Sequence, residues 1–456
     1  MAWLYNMIAG ILRNIINNTG EDFVQNYSCI SPENRNNNRI KISGATGLQF
    51  DKSGAVKTLD IKQLLQLKNK LLIYAEELVN NKDYVMQMYL VETLDMALKT
   101  ILYGEFDSEQ SMGEIASLND NVSETGIKLY PRCECGWERK SRGAINHIVV
   151  ENFIRNFLVI DYSSVKSRYE DHHFYITGDY NRRNRESLKI AAIPYSNKDN
   201  YNFRYYNEDI CRFDMEYAGD KGKDSRFVTD KILSAKGNDI IMFPEIRGYK
   251  GMEDAIGTEL SQYGDNTIPS LIVLPSYWDN KVNSANVLDS YGMKLFEQKK
   301  HFSYNDVREG VTYKEDIVCK SPIEVNVIHW QGVGRVVVVI CRDFLNEDYI
   351  NDILRLYKVT LLLVPSHSTG EFDFNNIANI CKSKSCCVLW LNTCAAYTEE
   401  KSDNFKHISF LSKVPMKGKS DKIDKRGPCK HICEDTCRQD CILKYEIEFL
   451  LMRKGE

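Results

Sequence analysis

Three residues in this sequence have the types and the settings needed for acyl transfer. Glu245 follows the apolar run Ile240-Ile241-Met242-Phe243-Pro244, Lys299 closes a hairpin pattern in Glu297-Gln298-Lys299-Lys300-His301-Phe302, and Cys341 ends the run Val336–Ile340 and is followed by Arg342 and Asp343. Each stands at the exit of an expected strand, where ligands gather in open α/β folds. A carboxylate can take the thiol proton and later return one to a leaving amine, a thiolate can attack a carbonyl or nitrile carbon, and an ammonium can stabilise the oxyanion. The bland alternative for Cys341 is a buried strand cysteine, since free Cys is among the most buried residue types.

The elements that must position these residues begin near residue 188. Consecutive β-branched residues suit a strand buried on both faces, because stiff side chains pack well on a pleat. Strands are expected at 188–194, 239–243, 270–274, 336–340, 359–364 and 387–391, with a hairpin at 287–298 turning at Ser290-Tyr291-Gly292. Helical stripes at 227–235, 348–357 and 374–384 alternate with them, as in an α/β domain.

Residues 1–170 have a different texture and read as a mostly helical N-terminal region. Apolar stripes mark an opening helix over 1–18, a helix over 61–78 and another over 85–102, the last two forming a hairpin, while Asn34–Asn38 reads as a loop and Ala144–Ile160 as a third apolar segment. No catalytic pattern is present there. The charged stretch 171–187 reads as a linker, 188–412 as the catalytic domain and 413–456 as a Cys-rich C-terminal segment.

The order and surroundings of the three residues resemble the carbon–nitrogen hydrolase, or nitrilase, superfamily over roughly 188–412. Leu188–Pro194 resembles its opening strand, Phe243-Pro244-Glu245 its glutamate motif, Lys299-Lys300-His301-Phe302 its Lys-x-His-Leu motif, Ile340-Cys341-Arg342-Asp343 its Cys-x-Asp motif, and Val364-Pro365-Ser366 the Pro-Ser that follows. Ala378–Asn392 resembles its late helix and strand ending in Asn.

The resemblance implies a four-layer αββα sandwich with Glu245 as general base and acid, Lys299 for the oxyanion and Cys341 as nucleophile. Lys300 is the rival to Lys299, which is preferred for its spacing to His301. Some members use a second glutamate after the lysine, for which Glu309 is the nearest candidate, with an exposed loop carboxylate as the alternative. Asp343 either orients the nucleophile turn or caps the next helix. Arg342, beside the thiol, either lowers its pKa or contacts an acidic substrate.

The 456 residues carry 59 Lys and Arg against 63 Asp and Glu, a formal charge of −4, which gives no case for a nucleic-acid or membrane partner. The 14 cysteines fall in clusters rather than as a disulfide framework, and no signal peptide or membrane span is recognisable, so a cytoplasmic location is expected. Cys429, Cys433, Cys437 and Cys441 repeat as C-x3-C, a spacing that suits a structural zinc. On one straight helix they span about 18 Å, so one ion needs a helix break or a second site such as Cys133 and Cys135. A helix with four cysteines on its apolar side is the alternative. His172, His173 and His367 read as surface or loop histidines.

No cofactor is expected for catalysis, and the expected ligand is a small-molecule substrate. The function expected is cleavage of a non-peptide C–N bond through a covalent intermediate at Cys341. Two alternatives stand beside it: a nitrilase-like scaffold or assembly module, as in bacterial antiviral defence systems, and acyl transfer to an amine. Homo-oligomer or partner contacts are expected through the N-terminal region.

Overall fold

A computed structural model describes residues 1–107, 113–137, 149–163, 168–176, 186–195, 200–207, 210–263, 268–397, 405–415, 423–428 and 441–449. The chain forms two compact units that divide in sequence near residue 167, with short pieces at 111–114 and 134–138 belonging to the second.

The first unit is mostly helical, as its stripes predict. Helices Ile61–Asn80 and Tyr84–Ala97 form the expected hairpin, and Leu64, Leu71, Met88 and Leu94 share a core with Leu4, Ile8 and Leu12 of the helix Ala2–Asn18. Two expectations fail here. Asn34–Asn38 lies inside the helix Pro32–Thr46 rather than in a loop, because the Ser31 hydroxyl caps its start, Pro32 suits its first turn, and Asn38, Ile42 and Thr46 are buried. Phe157–Asp161, within the third apolar segment, is a strand paired with Ile127–Pro131.

The second unit is built on two large sheets. In one, after a short edge strand, the order is Tyr169–Ile176, Ile323–Trp330, Gly334–Val338, Leu361–Ser366, Cys387–Asn392, Ser409–Ser412 and Asp424–Arg426. The other runs Tyr277–Asp279, Val282–Asp289, Leu271–Val273, Ile240–Met242, Ser187–Ala192 and Leu443–Glu448, with Lys294–Lys299 also pairing Val282–Asp289. Alternate residues of the two sheets pack face to face: Ile190, Ile240 and Leu271 from one share a core with Val336, Val338, Leu361 and Leu389 from the other. Their opposite faces carry helices. Val228, Ile232 and Ile256 cover Ile241 and Ile272 on one side, while the helices Glu347–Leu356 and Phe372–Ser383 accompany the other sheet, where Phe374 stacks near Trp390. Four layers in the order αββα result.

Two segments expected to lie outside this sandwich belong to it. Tyr169–Ile176, read in part as a linker, pairs in parallel with Ile323–Trp330 along its whole length. Its polar residues misled the reading: Asp171 and His173 are buried, and the His173 ring lies between Asp171 at 2.6 Å and His329 at 2.8 Å. The C-terminal segment contributes Leu443–Glu448, antiparallel to Ser187–Ala192 with Tyr445 and Ile447 buried.

A smaller sheet accounts for the Tyr-rich insertion after Pro194 and for the stretch after Lys300. Tyr201–Asn207 and Cys211–Tyr217 form a hairpin, Asn305–Arg308 and Val311–Glu315 form another, and the two join in the order 305–308, 311–315, 211–217, 201–207.

Candidate active site

The Cys341 turn follows directly from the strand Gly334–Val338. This strand is buried throughout and pairs in parallel with Leu361–Ser366, and at its exit the chain reverses into the short 3-10 turn Cys341–Leu345. Cys341 sits there at φ +45°, in the left-handed region that a non-glycine residue occupies only under constraint and that recurs at functional turns. Buried thiols are raised in pKa, and Cys341 follows suit: burial is the largest cause, the negative charge of Glu245 adds to it, and Lys300 pulls the other way.

Glu245 follows the strand Ile240–Met242 and is 1 % exposed. One of its oxygens accepts hydrogen bonds from the Lys300 ammonium at 2.8 Å and from the Asn283 amide at 2.9 Å, and the other accepts the backbone N–H of His367 at 2.8 Å. Lys300 reaches a second buried carboxylate, Glu315, also at 2.8 Å. Burial works against the Lys300 charge, yet Glu245 and Glu315 outweigh it and hold its pKa well above the usual lysine range. Glu315 ends the strand Val311–Glu315, accepts the Tyr304 backbone N–H at 2.8 Å, and is raised in pKa by burial. His367 follows the strand Leu361–Ser366, and its carbonyl lies 3.9 Å from the Cys341 sulfur.

The geometry therefore brings Glu245 and Cys341 together and replaces two of the expected neighbours. Lys299 is not at this site: its ammonium pairs with Glu324 at 2.8 Å, and both side chains are partly exposed. Successive residues at a strand end point to opposite faces, so Lys300 turns inward where Lys299 cannot. Glu309 lies exposed at the tip of the hairpin between 305–308 and 311–315, and Glu315 holds the position expected of it. Arg342 is exposed and lines a groove of about 580 Å³ with Lys314, Cys319, Glu347 and Asp348. The Asp343 carboxylate, fully buried, receives the backbone N–H groups of His301 and Phe302. That bears out the orienting role over the helix cap, which falls to Asn346.

Sequence reasoning missed Glu315, Asn283 and His367. Asn283 in the buried strand Val282–Asp289 was a usable signal, because a buried amide demands partners. His367, read as a loop histidine, is walled by the buried Arg247, whose guanidinium lies 3.5 Å from its ring nitrogen, and burial lowers its pKa to about 3. Of the expected zinc ligands, Cys429, Cys433 and Cys437 lie outside the described residues, while Cys441 stands two residues before the last strand. Among the described residues no group of three or more His, Cys, Asp or Glu side chains could hold a metal ion. No helix among them is long and apolar enough to cross a membrane.

No protein-family model matches the sequence, and no curated protein does. Among solved structures, an amidase from Nesterenkonia sp. superposes with a TM-score of 0.39 at 14 % identity, covering 59 % of this chain and 94 % of that one. A mutant of the Nesterenkonia AN1 amidase, described as from the nitrilase superfamily, gives 0.34 at 15 % identity over 46 % and 77 %. The C. elegans NitFhit protein gives 0.36 at 15 % identity, covering 58 % of this chain and 61 % of that one.

Proposed function

We propose that this nitrilase-like chain is a thiol-dependent hydrolase of a non-peptide carbon–nitrogen bond, an amidase in the simplest case. The observation that carries the reading is the buried cluster of Glu245, Lys300 and Cys341, with the Lys300 ammonium 2.8 Å from Glu245 and His367 bridging Glu245 and Cys341, its N–H on Glu245 at 2.8 Å and its carbonyl 3.9 Å from the thiol. Glu245 takes the Cys341 proton as the sulfur bonds to the amide carbon. Lys300, already charged between two carboxylates, stabilises the oxygen that becomes negative. When the intermediate collapses, the C–N bond breaks, Glu245 delivers the proton to the departing amine, and a thioester remains. Water then attacks the thioester, gives a proton to Glu245, and the acid leaves as the thiol re-forms.

A thiol whose pKa is raised by burial needs such a base, because little thiolate exists without proton transfer. Glu315 helps hold Lys300 in place. Arg342, in the groove beside the nucleophile turn, is the proposed contact for the part of the substrate outside the pocket.

Ammonia release from a panel of small carboxamides tests the reading. Activity in the wild type, lost by at least about a thousandfold in Cys341→Ala and in Glu245→Gln, is the expected result. Activity that survives either substitution sinks it.

A further inference from the structure

Two buried carboxylates, Glu245 and Glu315, share the Lys300 ammonium, and the buried Arg247 guanidinium also acts on Glu245. Asn283 is the neutral donor that serves both. Its amide nitrogen lies 2.9 Å from the same Glu245 oxygen that Lys300 binds and 3.5 Å from Glu315. An amide can present either its oxygen or its nitrogen, and an oxygen turned toward two carboxylates would repel them. Ser276 decides the orientation. Its hydroxyl oxygen accepts the Ile246 backbone N–H at 2.8 Å, leaving the hydroxyl hydrogen to be donated to the Asn283 side-chain oxygen at 2.9 Å.

The same serine holds the turn that carries Glu245. Ile246, a β-branched residue, sits at φ +55°, a conformation costly for its type. Besides the Ile246 N–H on its hydroxyl, the Ser276 carbonyl accepts the Arg247 and Gly248 N–H groups, each at 2.9 Å. Ser276 and Asn283 are themselves fully buried.

We infer that Asn283, oriented by Ser276, is a positioning residue that holds the Glu245 carboxylate in place beside Cys341 while Glu315 lies close by. The inference rests on the amidase reading and extends it. Neither residue touches the reacting atoms; both act through Glu245. Without the amide, Glu245 and Glu315 lose a donor that reaches both, leaving the Lys300 ammonium and one backbone N–H on each, and the doubly charged pair is disfavoured.

The test uses iodoacetamide, itself a small amide, as the probe. The alkylation rate of Cys341 is followed by peptide mass spectrometry from pH 5 to 9 in the full chain. In the wild type the rate rises with pH as the buried carboxylate pair, in which burial raises Glu315, loses its last proton. In Asn283→Leu, close in volume, the midpoint of that rise moves up by about one pH unit, so the rate on the acid side falls by about tenfold while the alkaline plateau holds. Ser276→Ala moves the midpoint in the same direction by less. A midpoint that stays put, with the rate lowered equally at every pH, overturns the inference, because a merely structural role would do that. Should Asn283→Leu fail to fold, Ser276→Ala decides alone by the same criterion. A wild type whose Cys341 alkylates without saturation and no faster than the exposed Cys29 overturns the amidase reading instead.

Discussion

The Asp343 carboxylate accepts the His301 backbone N–H at 3.0 and 2.9 Å, fastening the turn that begins with Cys341 to the strand end that carries Lys300. The adjacent Phe302 N–H, at 2.8 Å, completes the clasp. Asp343→Ala leaves two buried donors without a partner and destabilises the fold by about 2–4 kcal/mol. Urea denaturation reads the loss. A change under about 0.5 kcal/mol, the range of ordinary surface substitutions, contradicts this role.

The two neighbouring lysines separate cleanly by energy. Lys300→Met strands Glu245 and Glu315 as uncompensated buried charges, at a cost of about 3–5 kcal/mol, and removes the cation beside the thiol. Lys299→Ala breaks only a partly exposed pair with Glu324, worth about 1 kcal/mol or less. Iodoacetamide labelling of Cys341 and denaturation midpoints, measured on both variants, check the contrast. Equal effects would place the functional lysine wrongly.

Acid sensitivity has a definable sign at His367. Burial, with Arg247 and then Lys300 adding to it, lowers its pKa to about 3, against about 6.5 in the unfolded chain. Between those values the unfolded state binds the extra proton. The stability His367 contributes is therefore whole above pH 6.5 and is lost as the pH falls, by about 1.4 kcal/mol per unit. His301, pulled down to about 4 by burial, acts in the same sense. The buried Asp343 and Asp95, pushed up to about 8 and about 6, act in the opposite sense, so the total slope is a balance. The difference between wild type and His367→Asn isolates the one group. Its stability–pH slope between pH 4 and 6 should be lower than the wild-type slope by about 1.4 kcal/mol per unit. Parallel curves would contradict it.

The last strand is a core element. Ile447 is 2 % exposed and packs with Leu188 and Ile190 in the inter-sheet core. Ile447→Asp buries an unpaired charge there and costs at least about 3 kcal/mol. Thermal denaturation and the soluble yield report it; a wild-type melting temperature would mean that the strand is dispensable.

Much of the second unit was legible in the sequence because its strands are continuous apolar runs. The strand exits at Glu245 and Cys341 could be located to the residue. Lys299 and Lys300 could not be told apart on spacing, since a one-residue slip along a strand exchanges its two faces. Glu315 was hidden because it arrives on a hairpin whose pairing to Cys211–Tyr217 spans some hundred residues of chain, and local pattern carries no such information. Tyr169–Ile176 was hidden for another reason. Hydropathy counts Asp171, His172 and His173 as polar and has no knowledge that His173 lies between Asp171 and His329.

The pairing of Leu443–Glu448 with Ser187–Ala192 also sets an order of events during synthesis. The strand at 187–192 emerges from the ribosome early, and Ile240–Met242 soon covers one of its edges. Its other edge waits for about 250 further residues, a delay of tens of seconds at bacterial or eukaryotic elongation rates of roughly 5–20 residues per second. An open strand edge of that duration is a template for pairing with another nascent chain. The edge of Ser187–Ala192 is thus closed only once the segment carrying Leu443–Glu448 has been made.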